Sequence, residues 1–140
     1  VGKRGYGYEA IPALVSALGL QNDVLMPGYV PSEDLPLFYS AAEVFVFPSI
    51  YEGFGMTVVD AMRCGCPVVA ANSGGVPEAV GNAGVLVNVF DSNAYAEAIE
   101  KIIEDESFAA VMSRKGISYA KKFSWEKSAR QTIKIYNSLP

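Results

Sequence analysis

The chain has 140 residues, a net charge of −4 and no histidine, and 51% of its residues are hydrophobic. Its size predicts one globular domain, and no apolar run approaches the ~18 to 20 residues of a membrane-spanning helix, so we expect a soluble domain. Dispersed basic residues in a negative chain argue against nucleic acid as a partner.

Several chemistries are excluded by the residue types alone. Without histidine, no Ser–His or Cys–His catalytic pair can form within the chain. Cys64 and Cys66 have neither a second cysteine pair nor a histidine to complete a zinc set, so we predict no metal site and two small buried thiols in a reducing cytosol. No G-x-G-x-x-G follows a first strand, which argues against a dinucleotide-dependent oxidoreductase.

The first third of the chain predicts short elements. Helical spacing runs from Glu9 to Leu18 and stops at Gly19. Val24 to Met26 is a candidate strand. A short helix is predicted in "SEDLPLFYSAA", with Ser32 as its N-cap and two acidic residues in the next turn.

The middle of the chain alternates between apolar runs and helical segments. Three runs without polar alternation, Val44 to Phe47, Pro67 to Ala71 and Gly84 to Asn88, are typical of strands that are covered on both faces. Helices are predicted between them, at roughly Gly55 to Arg63 and at Val76 to Val80. This order predicts an α/β fold: a Rossmann-like, doubly wound parallel sheet with helices on both faces.

From Ser92 onward the sequence is mostly helical, in three successive segments. In the last segment, Trp125, Ala129, Ile133 and Tyr136 form an apolar stripe, for which packing is favoured over ligand binding, either onto this domain or toward the missing half of the protein. We therefore expect a helical C-terminal end.

The most informative stretch is "PSIYEGFGMTVVDAM", which follows a predicted strand and so lies where parallel sheets bind ligands. Gly53 and Gly55 allow a close approach of the backbone, and the free N–H groups of Met56 and Thr57 would open the next helix with its positive dipole end. An anion site suited to a diphosphate is therefore predicted. Two acidic side chains, Glu52 and Asp60, would flank it and accept hydrogen bonds from diols.

Other residues near this stretch have two interpretations each. Phe54 is expected either to pack beneath the loop or to line the site, and its backbone serves the site in both cases. The segment Ser73 to Gly75 is either a plain turn or a second wall of the cleft, and its place after a strand favours the wall. Glu78 is predicted to cap a short helix or to be exposed. Lys3 and Arg4 are interpreted as an exposed pair rather than a phosphate site.

The segments "PSIYEGFGMTVVDAMRCGCPVVAANSGGVPEAVGNAGVLVN", "LMPGYVPSEDLPLFYSAAEVFVFPS" and "FSWEKSARQ" resemble the C-terminal half of family four glycosyltransferases. These are retaining enzymes of the GT-B architecture, which has two facing Rossmann-like domains. The resemblance covers essentially the whole chain. It implies transfer of a sugar from a nucleoside diphosphate donor, with retention at the anomeric carbon and without a cofactor or a required metal.

The resemblance also assigns roles to individual residues. The first family acid falls on Glu52, the catalytic candidate, which would hold hydroxyls of the donor sugar beside backbone donors at residues 53–57. The second, which holds the ribose diol, falls on Asp60, where the usual residue is glutamate. Aspartate is one methylene shorter, so the helix must sit closer to the ribose or a water must fill the gap. Tyr29 and Val30 match the segment that contacts the nucleobase.

We therefore interpret residues 1–140 as the nucleotide-sugar-binding domain of a longer protein, with the N-terminal acceptor domain, the first strand-loop unit and its basic phosphate clamp upstream of Val1. The predicted function is transfer of a mannosyl or glucosyl group to a glycan or lipid-linked acceptor in polysaccharide biosynthesis. The alternative is a non-catalytic nucleotide-sugar-binding or regulatory module of the same fold. A cytoplasmic location is expected, with peripheral association of the full-length protein at the inner face of the membrane.

Overall fold

The fold is given by a computed structural model, which describes residues 1–2, 5 and 7–139. The chain divides into two compact units, Val1–Leu35 and Pro36–Pro140. No helix in the described ranges is both long enough and apolar enough to span a bilayer. The predicted exposed pair Lys3 and Arg4 lies outside the described residues.

Among its described residues, the first unit contains one complete helix, α1 (Ala10–Ala17). Gly19 ends it with a φ of 71°, in the left-handed region that glycine adopts without a Cβ penalty, as the sequence predicts. The strand predicted at Val24 to Met26 is wrong, because these residues are irregular and Leu25 is 86% exposed. A strand requires a hydrogen-bonded neighbour, and none of the described residues pairs with this segment.

The helix predicted in "SEDLPLFYSAA" is α2 (Leu35–Ala41). It begins three residues after Ser32, so the prediction of Ser32 as its N-cap is wrong. Residues 32–34 form a turn instead, in which the Asp34 amide donates to the carbonyl of Pro31. Pro36 occupies the first turn of the helix, where its missing N–H leaves no helical hydrogen bond unmade.

The second unit is built on a three-stranded parallel sheet in the order β1 (Phe45–Phe47), β2 (Val68–Ala71) and β3 (Val85–Val87). The register pairs Phe45 with Val68 and Val69 with Val85. The connecting helices are α3 (Met56–Arg63) and α4 (Val76–Val80), followed by α5 (Ser92–Glu104), α6 (Glu106–Ala120) and α7 (Trp125–Tyr136). From Val44 onward, these bounds confirm the predicted order of strands and helices.

The central strand β2 is buried on both faces and alternates between two apolar clusters. Val68 and Ala70 pack with the buried faces of α3 and α4, whereas Val69 packs with β3 and α5. Helices therefore cover both faces of the sheet, and the predicted α/β class is confirmed. Gly116 of α6 lies against Met62 of α3, where an added Cβ would approach the Met62 Cβ to 3.3 Å, so these helices pack closely.

The stripe on α7 does not pack into the core of this chain, so that alternative is wrong, whereas packing against a part of the protein outside this chain stays a prediction. Trp125 is 77% exposed and Tyr136 is 69% exposed, and α7 buries none of its residues. The helix itself forms as predicted, since Ser124 caps it by accepting from the Lys127 amide at 3.1 Å. Amphipathic spacing predicts which face of a helix is apolar, and it does not identify the surface that covers this face.

Candidate functional site

The loops after β1 and β2 lie against each other at the carboxyl edge of the sheet. They are neighbours because β1 and β2 pair in parallel, so both strands end at the same edge. The Gly75 amide donates to the carbonyl of Glu52 at 2.9 Å, and the Ser73 hydroxyl donates to the carbonyl of Ile50. The structure therefore brings the predicted cleft wall into direct contact with the segment that carries the predicted catalytic acid.

Two glycines allow this contact. A Cβ on Gly75 would lie 2.2 Å from the Gly53 carbonyl oxygen, and one on Gly74 would lie 2.6 Å from the Glu52 carbonyl oxygen. Gly74 also has a φ of 54°, which disfavours other residues. The glycines predicted as a turn or a wall thus have a steric reason to be glycine, since the neighbouring loop occupies the space of a side chain.

The Glu52 side chain is partly buried and has a defined partner. The Ser49 hydroxyl donates to Glu52 Oε1 at 3.1 Å and lies 3.3 Å from the carbonyl oxygen of Tyr51. Sequence analysis did not single out Ser49. The only available signal is its position three residues before the acid, directly after the strand-ending Pro48.

The N-terminus of α3 follows the Glu52 loop directly. Gly55 is its N-cap, with a φ of 96°, and is buried, whereas Met56 and Thr57 are exposed in the first turn. That turn contains no acidic residue, so no carboxylate within it competes with an anion for the positive end of the helix dipole. The predicted start of this helix near Gly55 is confirmed, and an anion site at its first-turn N–H groups stays a prediction.

Asp60 lies one turn further along α3 and is exposed. It follows Gly55 by five residues, or about 7.5 Å along the helix axis. Burial raises the pKa of the Tyr39 phenol, and the negative charge of Asp60 raises it further. Tyr39 of α2 is thus an electrostatic neighbour of Asp60 that sequence analysis did not identify, since nothing local marks this contact.

An open groove of about 560 Å³ runs beside α3 within the second unit. Asp60 and Met56 line it on one side, and the beginning of α7 lines the other. The remaining lining residues are Phe54, Arg63, Glu78, Tyr119, Lys122, Phe123, Ser124, Trp125, Lys127, Ser128 and Gln131. The groove is therefore mixed in charge and contains three of the residues predicted from sequence or resemblance to serve a donor site or adjoin it: Phe54, Met56 and Asp60.

Several of the residues that line this groove are held by contacts with one another. Tyr119 donates its hydroxyl to the Glu78 carbonyl at 2.9 Å, and Arg63 donates to the carbonyl of Phe123. Phe54 packs edge-on against Phe123, with ring centroids 5.2 Å apart. Phe54 therefore packs beneath its loop, as one interpretation predicts, and it also lines the groove, while its place in the donor site stays a prediction. Of the two alternatives for Glu78, the exposed one is observed.

Two of the predicted site residues lie in the other compact unit of the chain. Tyr29 is exposed and Val30 is half-buried, and both belong to the first compact unit. Their contact with a nucleobase stays a prediction. Within the described part of the chain, no group of three or more His, Cys, Asp or Glu side chains could hold a metal ion.

Comparison with known proteins assigns the family. The sequence model of the family described as "Glycosyl transferases group 1" matches residues 1–123. The chain therefore belongs to the group 1 glycosyltransferases, as the resemblance of its motifs indicates.

Individual relatives agree with this family. The chain is 41% identical over 138 residues to the O-antigen chain mannosyltransferase B of Escherichia coli, with 99% of this chain and 36% of the relative covered. It is 37% identical over 141 residues to the D-inositol 3-phosphate glycosyltransferase of Corynebacterium jeikeium, with 99% and 34% covered. The chain thus spans about a third of the length of these curated relatives.

Solved structures share the fold. The Anabaena protein Alr3699/HepE, crystallised in complex with UDP and glucose, matches with a TM-score of 0.90 and 30% identity, covering 99% of this chain and 39% of that protein. The sucrose-phosphate synthase of Thermosynechococcus elongatus matches with a TM-score of 0.86 and 35% identity, covering 97% of this chain and 36% of that protein. The GT-B type of C-terminal domain is thereby confirmed for this fold.

Proposed function

We propose that this chain is the donor-binding part of a retaining glycosyltransferase. The enzyme would transfer a mannosyl or glucosyl group from a nucleoside diphosphate sugar to a glycan or lipid-linked acceptor. The observation that carries the proposal is the placement of Glu52, whose backbone and side chain are both held at the carboxyl edge of the sheet, immediately before the N-terminus of α3. A carboxylate and an anion site then lie side by side.

The proposed roles follow the chemistry of each group. Glu52 accepts hydrogen bonds from hydroxyls of the donor sugar, because a carboxylate would be repelled by the phosphates. The N–H groups of Met56 and Thr57, together with the dipole of α3, stabilise the diphosphate. Asp60 accepts from the ribose diol, and Tyr29 and Val30 contact the base. The exposed face of Gly53 leaves room for the donor, since no atom lies within 4 Å of the place of its Cβ.

The choice of sugar rests on the relatives. One of them is named as a mannosyltransferase, and the Anabaena structure holds UDP with glucose. Both support a nucleoside diphosphate hexose as the donor of this chain. The proposed reaction requires no metal and no further cofactor, because the helix N-terminus and an upstream basic clamp supply the positive charge that the diphosphate needs.

The acceptor belongs to the proposed remainder of the protein. An N-terminal domain facing the groove would bind the acceptor, and the first strand-loop unit would supply the basic clamp. The relative with a role in O-antigen synthesis supports a polysaccharide product. We place the complete protein in the cytoplasm, with peripheral association at the inner face of the membrane where lipid-linked acceptors are found. The 140 residues alone are expected to be inactive.

The direct test uses the complete protein that carries this chain. Saturation-transfer NMR with a panel of nucleotide sugars, including UDP-glucose and GDP-mannose, should reveal one preferred donor, and slow donor hydrolysis should accompany its binding. Binding without any turnover, with or without acceptor extracts, would favour the alternative of a non-catalytic nucleotide-sugar-binding module. A protein that binds no nucleotide sugar would contradict both functions.

A further inference from the structure

We propose that Ser49 is a positioning residue that orients the carboxylate of Glu52 toward the donor sugar. This inference rests on the proposed function, and it adds a residue to which neither the motifs nor the comparisons give a role. Ser49 itself would touch no substrate. It would act through the hydrogen bond between its Oγ and Glu52 Oε1.

The geometry gives the hydroxyl one preferred acceptor. Ser49 Oγ lies 3.1 Å from Glu52 Oε1 and 3.3 Å from the carbonyl oxygen of Tyr51, and a hydroxyl has a single proton to donate. The carboxylate is the nearer acceptor. Because it also carries charge, its hydrogen bond is the stronger of the two. The pair is partly buried, so water competes less for the carboxylate than it would on an open surface.

The backbone around Glu52 is already fixed by the neighbouring loop. The Gly75 amide holds the Glu52 carbonyl, and the Ser73 hydroxyl holds the Ile50 carbonyl. The freedom that remains is that of the Glu52 side-chain torsions, which are costly to order because glutamate has many rotamers. Ser49 removes this freedom, since it anchors one end of the carboxylate while the backbone is anchored by residues 73–75.

The hydrogen bond from Ser49 also makes the two carboxylate oxygens of Glu52 different from each other. Oε1 is engaged by Ser49, whereas Oε2 receives no hydrogen bond from any residue that the structure describes. Oε2 is thereby left to accept from a sugar hydroxyl at a fixed direction. A residue with this role affects turnover of the donor and leaves binding of the nucleoside diphosphate nearly unchanged, because the diphosphate is held at the α3 N-terminus.

The test is a double-mutant cycle in the complete protein with Ser49→Ala, Glu52→Gln and the double variant. The readouts are kcat and KM with the donor that the wild type turns over, and the Kd of the matching nucleoside diphosphate. Ser49→Ala should lower kcat about 10- to 100-fold, in keeping with a misplaced catalytic group, and leave this Kd within about twofold. In the Glu52→Gln background, Ser49→Ala should lower kcat by less than about twofold. Ser49→Thr, which keeps a hydroxyl, should recover most of the loss, and Ser138→Ala serves as a control remote in sequence.

Two results would overturn the inference. One is a Ser49→Ala enzyme with wild-type kcat. The other is an equal loss of kcat from Ser49→Ala in the wild-type and Glu52→Gln backgrounds, which would show that Ser49 is merely structural. Failure of the proposed function gives a different pattern, because the wild type would then turn over no nucleotide sugar, with or without binding one.

Discussion

Gly75→Ala is the substitution whose effect the structure predicts most directly. The added Cβ would lie 2.2 Å from the carbonyl oxygen of Gly53, 2.7 Å from its carbonyl carbon and 2.9 Å from the Cα of Phe54. All three atoms belong to the backbone, so no side chain can rotate away. To reach ordinary contact near 3.4 Å, the Gly53 carbonyl must move by roughly 1.2 Å.

That displacement would act on stability and on chemistry together. Overpacking of this kind costs about 1 to 3 kcal/mol of unfolding free energy. The segment that moves carries Glu52, and a displacement of about 1 Å in a catalytic group lowers turnover by about 100-fold. Urea unfolding and donor turnover of the complete protein measure the two effects separately.

Gly53→Ala is the matched control, since its Cβ would meet no atom within 4 Å and its φ is not positive. Its stability should stay within about 0.5 kcal/mol of the wild type. If the donor approaches this backbone closely, Gly53→Ala nevertheless weakens donor binding. A Gly75→Ala protein with wild-type stability and turnover would refute the account of the two interlocked loops.

Three further predictions concern the rest of the domain. Tyr95 is buried, and its hydroxyl has no hydrogen-bond partner among the described residues. Tyr95→Phe should therefore raise the free energy of unfolding by about 1 kcal/mol in urea titrations. A loss of stability would contradict this and would show that the hydroxyl has a partner. Burial and, to a smaller extent, the charge of Cys64 raise the pKa of the Cys66 thiol to about 11. Iodoacetamide at pH 8 should therefore label the more exposed Cys64 first by mass spectrometry, and preferential labelling of Cys66 would contradict this. The hydroxyl of Ser107 and the amide of Phe108 lower the pKa of Asp105 below 3.8, so its contribution to stability is present above that pH and is lost as the pH falls through the lowered pKa. Asp105→Asn should therefore flatten the fall in melting temperature below about pH 4, and an unchanged profile would contradict this.

The strands could be predicted from sequence because their burial leaves a direct trace. A central strand of a parallel sheet is covered on both faces, so "VFVF" and "PVVAA" are continuous apolar runs, and they became β1 and β2. The helices that follow β1 and β2 formed where they were predicted, since α3 begins after Gly55 and α4 ends before Gly81. Local patterns and tertiary structure agree in these segments.

The wrong predictions for the Val24 to Met26 strand and for the α7 stripe share a different physical origin. The segment at Val24 to Met26 has strand-like composition, but a strand exists only through hydrogen bonds to a neighbour. The stripe that contains Trp125 and Ile133 was correctly predicted to be apolar, but its covering surface is not a property of the helix. Both errors concern partners distant in sequence, which local periodicity does not encode.

In the candidate site, too, some features could be predicted from local sequence and others depend on contacts between distant residues. Glu52, Ser73 and Gly75 could be placed at one edge, because parallel strands end together there. The hydrogen bond from Ser49 to Glu52 and the proximity of Tyr39 to the charge of Asp60 could not be predicted, since they depend on where side chains point in the folded chain. That Asp60 takes the place of the usual glutamate at the ribose stays a prediction.

The central claim is that Glu52 serves the sugar and the α3 N-terminus serves the diphosphate. Its most direct measurement compares transfer activity and nucleoside diphosphate affinity in Glu52→Gln of the complete protein, with Glu97→Gln of the exposed face of α5 as the control. The account predicts that Glu52→Gln removes most of the transfer activity, that calorimetry gives a nucleoside diphosphate Kd close to that of the wild type, and that the control changes neither. Wild-type turnover in Glu52→Gln would contradict the assignment.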